Sequence, residues 1–307
     1  MLKPSMLACA FAVCAASLLH AQNLGSISGL VKDKTGSVVP GATVKLTHQD
    51  TGLVRTFTTS DSGNYAAPAL PAGTYALEAT ASGFSLTRQT GIVVNLRDAL
   101  RIDVQLDVTS VQEAVEVKAE AVQLQTENAT VGEVISGQQV VALSVNGRNF
   151  TSLAALVPGA SSTQPSLNTP VGVTSSTAIA FNGLRTSQNV WRMDGQEDYD
   201  RGCGGCIAVL PSVEAIAEFK VETSNSAVDT GFGSAGQMNV STKSGTRLFH
   251  GGGWEYVRND ALDAKNFFTN LNGQPKPPLR FNVYGFNIGG PFFIPKLYGC
   301  LTDMGVM

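Results

Sequence analysis

The sequence is short of the residues that usually carry chemistry. Only 15% of its 307 residues are charged, and a formal net charge of −3 offers no basic surface for nucleic acid. Its three histidines, His20, His48 and His250, lie far apart and form no paired motif with a nucleophile. We therefore expect no enzyme, no cofactor, no bound metal and no nucleic-acid partner.

Long hydrophobic runs are also absent after the first 21 residues. Lys3 gives the start a positive charge, Met6–Leu19 is almost entirely apolar, and Ala21 is the small residue expected before a cleavage site. About 14 apolar residues are too few to span a bilayer core, which needs roughly 20. The pattern predicts a cleaved signal peptide over residues 1–21 and export through the inner membrane. Any later membrane insertion must then use β-strands.

Residues 22–108 contain short segments with the pattern of β-strands. The segments expected to form strands are GSISGLVKD, KTGSVVPGA, TVKLTHQD, RTFTTSDSGNYAA, LPAGTYALEATASGF and RIDVQLDV. In the last of these, Ile102, Val104, Leu106 and Val108 alternate with polar residues, which predicts a strand with one apolar face. Turn residues separate the segments at Pro40-Gly41, Asp61–Gly63 and Pro71–Gly73. Several short strands at regular spacing predict a β-sandwich of two sheets.

The glycines, valines and tyrosines of this region follow a recognisable pattern. It runs through Gly29, Val31, Asp33, Gly36, Val39, Gly41, Ala42 and Val44, and then Asp61, Tyr65, Leu70, Pro71, Gly73 and Tyr75. This pattern resembles the carboxypeptidase regulatory-like domain, which implies an accessory sandwich of carbohydrate-binding-like fold without peptidase activity. Two roles stay open, a spacer and a glycan-binding module, because a fold does not define a function.

Residues 109–130 differ from the sandwich in composition, since they contain no glycine or proline and many charges. An extended valine-containing segment in a linker is suited to adding a strand to a partner's sheet. The centre of this linker consists of Glu113, Ala114, Val115, Glu116, Val117, Lys118 and Ala119. These seven residues, the candidate box, resemble the energy-coupling box of TonB-dependent receptors. The resemblance implies capture by the periplasmic domain of TonB through β-augmentation, and the alternative is a linker without a partner.

Residues 131–246 carry three segments in a characteristic order: Leu143–Ala160, Phe181–Gly195 and Ile216–Thr246. Their order and spacing resemble the plug of the Oar-like subgroup of TonB-dependent receptors, which implies an α+β plug domain. The motif residues that we expect at turns and packing positions are Asn146, Gly147, Arg148, Asn149, Asp194 and Gly195. Asp194-Gly195 predicts a hairpin turn, and Val213–Phe219 predicts a helical turn that leads into a strand.

Three further patterns in this region have both a chemical and a structural interpretation. Gly231, Gly233 and Gly236 fit the G-x-G-x-x-G pattern of dinucleotide sites, but the following MNVSTKSGT predicts a strand instead of the required helix, so we expect backbone turns. Cys203 and Cys206 lie in a loop-like stretch, which favours a local disulfide in an oxidising compartment over a redox or metal site. The nearby acidic residues fit either a cation site or solvated loop charges: Asp194, Glu197, Asp198 and Asp200.

Residues 247–307 have the pattern of membrane strands. In Leu248–Arg258, aromatic residues share one face and small or polar residues share the other. Ala261–Phe268 and Arg280–Gly290 resemble the signature and the next strand that follow the plug in Oar-like receptors. The segment holds three or four strands of roughly 10 residues each, whereas a barrel around a plug needs about 22 strands. We expect an unfinished barrel, with a frameshift or premature stop near Leu297–Gly299.

The expected protein is mainly β: a β-sandwich, a coupling linker, an α+β plug and the first strands of an incomplete outer-membrane β-barrel. Its expected function is that of the N-terminal part of a TonB-dependent outer-membrane receptor for substrate uptake, not competent for transport by itself. The partners implied are TonB, outer-membrane lipid around an intact barrel, and a transported ligand of unknown identity, for which a carbohydrate is one candidate. The alternative is an exported carbohydrate-binding or adhesion module without transport activity.

Overall fold

The structure, a computed structural model, describes residues 24–108, 115–118, 130–143, 145–162, 179–200, 202, 206–226 and 233–291. The predictions for the signal peptide, for Cys203 and for the stretch Leu297–Gly299 lie outside the described residues. The chain forms two compact units, one that ends at Lys243 and one that begins at Ser244. The predicted domain boundaries at residues 108, 130 and 246 stay predictions.

The N-terminal part of the first unit is a sandwich of two β-sheets. Its strands are β1 (Gly25–Asp33), β2 (Thr43–His48), β3 (Val54–Thr58), β4 (Asn64–Leu70), β5 (Gly73–Thr80), β6 (Thr87–Val94), β7 (Ala99–Arg101), β8 (Val104–Leu106) and β9 (Val115–Lys118). In one sheet β1 lies between β4 and β7 and also pairs with β8, while the other has the order β3-β2-β5-β6-β9. Most neighbours are antiparallel, but β1 pairs in parallel with β7 and β8, and β6 pairs in parallel with β9.

The sandwich core follows from the alternation of apolar residues in the strands. Ile27 and Val31 of β1 are fully buried, and so are Leu46 of β2 and Leu77 of β5. Side chains on a strand alternate between its two faces, so each sheet contributes one apolar layer to a shared interior. The sandwich predicted from the sequence is confirmed.

A close backbone approach joins β1 to the segment between β7 and β8. A Cβ atom on Gly29 would overlap the carbonyl oxygen of Ile102. The same carbonyl accepts a hydrogen bond of 2.7 Å from the buried hydroxyl of Tyr65. Burial raises the pKa of Tyr65 above its ordinary value, so this hydroxyl stays protonated and acts as a donor. The motif residues Gly29 and Tyr65 thus hold one point of the sandwich together.

Three details of the sandwich differ from the sequence prediction. KTGSVVPGA forms turns and loop with one isolated bridge from Val38 to Lys32, because two turns occupy most of its length. The single strand predicted for RIDVQLDV is divided between β7 and β8, and Val108 is exposed beyond the end of β8 instead of sharing the apolar face. The strand β6 was not predicted at all.

The remainder of the first unit is built on a second five-stranded sheet. Its elements are β10 (Val131–Ser136), α1 (Gly137–Ala142), β11 (Ala160–Ser162), β12 (Ile179–Phe181), β13 (Val190–Met193), β14 (Gln196–Glu197), β15 (Tyr199–Asp200), β16 (Cys206–Ile207), β17 (Ile216–Ser224) and β18 (Gln237–Thr242). The five-stranded sheet has the order β10-β17-β18-β13-β14. Short 3-10 turns cover Asn146–Arg148, Phe150–Leu156, Thr186–Gln188 and Val213–Ala215. We call this part the plug sheet region after the plug predicted for residues 131–246, an assignment that stays a prediction.

An aromatic cluster forms the core of the plug sheet region. The rings of Trp191 and Phe219 are stacked with centroids 6.0 Å apart, and Phe150 meets both edge-on. All three side chains are fully buried. Large aromatic rings contribute much of the burial energy of a small core. One face of β13 and one face of β17 therefore pack into this core.

The second unit contains a long hairpin and a short helix. The strands β19 (His250–Asn259) and β20 (Arg280–Gly289) pair antiparallel along their whole length, and α2 (Phe267–Leu271) lies in the connection. Large apolar side chains project from β20 into solvent, with Tyr284 at 79%, Phe286 at 83% and Ile288 at 77% exposure. In the part of the chain that the structure describes, no helix is long and apolar enough to cross a membrane.

Replacing Gly29 with alanine should open the contact between β1 and Ile102. We expect Gly29→Ala to lower the free energy of unfolding by about 2 kcal/mol, because backbone must move to admit the methyl group. The measurement is denaturant unfolding of the chain monitored by circular dichroism. Ser28→Ala in the same strand is the control, since it removes only a long 3.4 Å hydrogen bond to Leu100. Equal stability of the two variants would contradict the expectation.

Candidate functional site

The candidate box is a strand on the edge of the sandwich. Val115–Lys118 form β9, which pairs in parallel with β6 so that Thr87 lies opposite Val115 and Thr90 lies opposite Lys118. Glu113, Ala114 and Ala119 lie outside the described residues. Because β9 is the last strand of its sheet, only one of its two edges is used within the described part of the chain.

The loop that follows β6 contacts the plug sheet region. The backbone N–H of Leu96 donates to the carboxylate of Glu218 at 2.9 Å. The ammonium of Lys220 donates to the carbonyl oxygen of Leu96 at 2.7 Å and to the carboxylate of Asp98 at 3.0 Å. Asp98 is 2% and Lys220 is 4% exposed. We call the group formed by Leu96, Asp98, Glu218 and Lys220 the sandwich–plug contact.

The strand β17 forms this contact because its two faces have different chemistry. Phe219 and Val221 point into the aromatic core, whereas Glu218, Lys220 and Glu222 alternate with them and occupy the other face. That second face is also buried, so its charges need partners. Lys220 has Asp98 as its partner, and Glu222 lies 3.8 Å from the guanidinium of Arg97.

The buried polar face extends across the next strand of the sheet. Gln237 and Asn239 of β18 lie opposite Glu222 and Lys220 in the strand register, and each is 1% exposed. Within the described ranges, the side-chain amide of Asn239, Oε1 of Gln237 and Oε2 of Glu222 have no hydrogen-bond partner. Unpaired buried polar atoms cost free energy that water would restore. Burial of this polar face is therefore less favourable than burial of an apolar interface of the same size.

Glu218 has an unusual protonation equilibrium. Burial raises its pKa from 4.5 to about 7, and the nearby charge of Asp98 acts in the same direction. The hydrogen bond from Leu96 and the ammonium of Lys220 oppose this effect. Glu218 thus titrates near neutral pH inside the sandwich–plug contact.

The first part of the plug motif forms a tight turn that is fixed by an ion pair. Gly147 has a positive φ of 69°, which glycine adopts without steric cost. The guanidinium of Arg148 pairs with the carboxylate of Glu214 and donates to the carbonyl oxygen of Val141 at 3.4 Å. The side chain of Asn149 accepts from the N–H of Thr151 at 3.0 Å and so caps the following 3-10 turn.

The second part of the plug motif is the turn between β13 and β14. Asp194 and Gly195 have φ values of 48° and 83°, the left-handed conformations of a two-residue hairpin. The carboxylate of Asp194 accepts from the backbone N–H of Thr242 at 2.9 Å and from its hydroxyl at 2.7 Å. Asp194 therefore ties the turn to the end of β18.

The acidic residues near Asp194 have structural partners. Asp198 accepts a 2.8 Å hydrogen bond from the N–H of Val209, and Asp200 accepts one of 2.7 Å from Gly202. Burial raises the pKa of Asp198. Among the described residues, no group of three histidine, cysteine, aspartate or glutamate side chains could hold a metal ion. Gly236, the last glycine of the dinucleotide-like pattern, precedes the strand β18.

The sandwich–plug contact was not predicted from the sequence. Glu218 and Lys220 belong to a segment, Glu-Phe-Lys-Val-Glu, in which charged residues alternate with large apolar ones. That alternation usually indicates a strand with one solvated face. The signal that could have revealed the contact is the second cluster of charges, Arg97-Asp98, at the end of the sandwich.

Comparison with known proteins gives two family matches and one curated relative. The carboxypeptidase regulatory-like domain matches residues 26–107, and the outer membrane beta barrel domain matches residues 241–301. The TonB-dependent transporter Oar of Myxococcus xanthus is 26% identical over 308 residues, which cover 93% of this chain and 27% of that protein. The chain thus spans about a quarter of the length of this relative.

Two solved structures show local similarity. The siderophore receptor PirA of Acinetobacter baumannii has a TM-score of 0.39 at 22% identity, over 52% of this chain and 22% of the receptor. A candidate carbohydrate-binding protein of Bacteroides uniformis has a TM-score of 0.24 at 22% identity, over 27% of this chain and 41% of that protein.

The fold and the two family matches define an outer-membrane β protein that contains a carboxypeptidase regulatory-like domain. The curated relative is a TonB-dependent transporter, and its similarity over 93% of this chain agrees with the resemblance seen in the sequence. The predicted carboxypeptidase regulatory-like domain and the predicted outer-membrane location are confirmed by the two family matches.

The titration of Glu218 should make the stability of the chain depend on pH. Because folding raises the pKa of this carboxyl, its contribution is fully present below pH 4.5 and is lost as the pH rises toward about 7. We expect Glu218→Gln to flatten the pH dependence of the unfolding free energy between these values. The exposed Glu133→Gln on β10 is the control and should keep the wild-type slope. An unchanged slope in Glu218→Gln would contradict this assignment.

The turn at Asp194 provides a second stability test. Alanine at this position loses both hydrogen bonds to Thr242 and must adopt a positive φ, so we expect Asp194→Ala to lower the free energy of unfolding by about 2 kcal/mol. Asparagine tolerates the same backbone conformation and keeps an acceptor, so Asp194→Asn should cost less than half as much. Denaturant unfolding measures both values. Equal losses would mean that the carboxylate itself is required.

Proposed function

We propose that the chain contains the energy-coupling part of an outer-membrane transporter, in which TonB captures Glu113–Ala119 by β-augmentation and so drives the uptake of a substrate. The relative from Myxococcus xanthus is a TonB-dependent transporter. The observation that carries the proposal is the strand β9. Four residues of the candidate box already have extended, hydrogen-bonded backbone at the edge of a sheet, which is the conformation that β-augmentation requires.

A pull on the candidate box would reach the plug sheet at β10. The chain runs from the box to Val131, the first residue of β10, and β10 is the edge strand of the plug sheet. Of its six residues only Ile135 is buried, so β10 is held mainly by its backbone hydrogen bonds to β17. An edge strand with one buried side chain can be detached at a lower cost than a central strand.

Detachment of β10 would expose the strand that forms the sandwich–plug contact. β17 would lose its pairing from Ser224 to Glu218 and become the new edge of the sheet. Its second face carries the unpaired buried oxygen of Glu222, and the neighbouring β18 carries the unpaired amide of Asn239. Water can satisfy these groups once the region opens. We propose this local opening as the step that lets a substrate pass the plug of the intact transporter.

The alternative of an exported carbohydrate-binding or adhesion module would need aromatic rings on the surface of the sandwich to stack on sugars. Tyr65 and Tyr75 are instead buried, each with its hydroxyl bonded to a backbone carbonyl. Phe84 is half-buried and packs against the sandwich core. These residues therefore favour a structural role for the sandwich.

Capture by TonB tests the proposal directly. The full chain in detergent is titrated with the purified periplasmic domain of TonB, and binding is measured by calorimetry. We expect Val117→Pro to weaken binding by about tenfold or more, since proline removes a backbone donor and disfavours strand pairing. Val108→Pro is the matched control, because Val108 is exposed and lies outside the strands. Equal binding of the wild type and Val117→Pro would refute the assignment of the box.

A further inference from the structure

The last strand on one edge of the sandwich is β9, which contains four residues of the candidate box. Without β9, the strand β6 would be the last strand of its sheet and would present unpaired backbone groups to solvent. β9 covers that edge with four residues and leaves its own outer edge free among the described residues. A strand in this position uses one row of hydrogen-bonding groups internally and displays the other row outward.

From this arrangement we propose that the sandwich is a presentation platform: β6 holds the candidate box as a preformed strand, and a partner strand pairs with the outer edge of β9 to continue the sheet. This inference rests on the proposed capture by TonB and names the structural role of the sandwich in it. A free linker loses backbone entropy when a partner orders it. A linker already ordered on β6 has lost that entropy before binding, so docking on β6 strengthens capture.

The register of β6 and β9 supports docking by charge. In the backbone register, Arg88 of β6 lies opposite position 116 of β9, where the sequence has a glutamate. Opposite charges at opposed positions of neighbouring strands stabilise strand pairing in general. The guanidinium of Arg88 also lies 3.6 Å from the carboxylate of Glu78 on β5, and its side chain is 48% exposed. Arg88→Glu therefore changes the charge opposite β9 and also places a second carboxylate beside Glu78, so recovery with Glu116→Arg is the result that assigns the effect to β9.

The position of β6 connects the docked box to the plug sheet. β6 is followed directly by Leu96 and Asp98, which bind Lys220 of β17. The element that holds the box is thus fixed to the plug sheet a few residues further along the chain. A force on a partner strand that is paired with β9 would act first on β6 and on the sandwich–plug contact. It would act on the linker to β10 only after β9 detaches.

A charge swap tests the platform in the full chain. We expect Arg88→Glu to undock β9, which increases amide hydrogen exchange in Val115–Lys118 and weakens capture by the periplasmic domain of TonB by about fivefold. Arg88→Glu combined with Glu116→Arg should restore both. The matched control is Arg101→Glu, whose side chain is 45% exposed and lies 3.3 Å from Asp103, away from β9. Both effects of Arg88→Glu should shrink in about 1 M salt.

Two further arms separate this inference from the proposed function. Peptides of residues 113–119 with and without Glu116→Arg measure the intrinsic preference of TonB, and the capture data are corrected for it. Failure of TonB to bind either the chain or the peptide would overturn the proposed function, while hydrogen exchange would still report docking on β6. Unchanged exchange in Arg88→Glu would overturn docking. Tighter binding of TonB to Arg88→Glu than to the wild type would show that pairing with β6 hinders capture of the box. That result would overturn the role of the sandwich as a presentation platform.

Discussion

The buried pair of Lys220 and Asp98 is the interaction on which the first unit depends. It joins a loop of the sandwich to the central part of the plug sheet over a 3.0 Å contact that is almost completely shielded from water. Removing one partner of such a pair leaves an uncompensated charge and costs about 3–5 kcal/mol. The same lysine also binds the carbonyl oxygen of Leu96, so one side chain contacts both the backbone of the loop and the carboxylate of Asp98.

This contact explains why β17 has its particular sequence. The strand must supply Phe219 and Val221 to the aromatic core and also carry charges that meet the sandwich. A wholly apolar strand would hold the two parts together at least as strongly. A polar face with a titratable Glu218 and unpaired amide groups is easier to reopen. Reversible opening of this region is the property that the proposed function requires.

The sequence predicts the parts of the fold that depend on local pattern. Alternating apolar residues and turn residues indicate β1, β2 and β5, and Asp194-Gly195 indicates its hairpin. β6 escaped prediction because Thr-Arg-Gln-Thr-Gly at its start has no apolar alternation. In the structure this segment is nevertheless a strand, because its backbone pairs with β5 on one side and with β9 on the other. Its partner β9 is far along the chain, so no local pattern reveals the pair.

The candidate site likewise combines segments that are local in the sequence with contacts between residues far apart in the sequence. The candidate box and the two parts of the plug motif are short segments that were assigned by resemblance to a family, and these assignments stay predictions. The sandwich–plug contact combines Leu96 with Glu218, which are separated by 122 residues. Charged side chains in a strand normally face water, and only the three-dimensional arrangement shows that these face another part of the chain.

The central claim is that force applied to the candidate box reaches the plug sheet. Single-molecule pulling on the periplasmic domain of TonB bound to the immobilised full chain tests it most directly. We expect a step of chain extension, from the release of β9 and then β10, before the complex with TonB breaks. Rupture of the complex without any extension would contradict it.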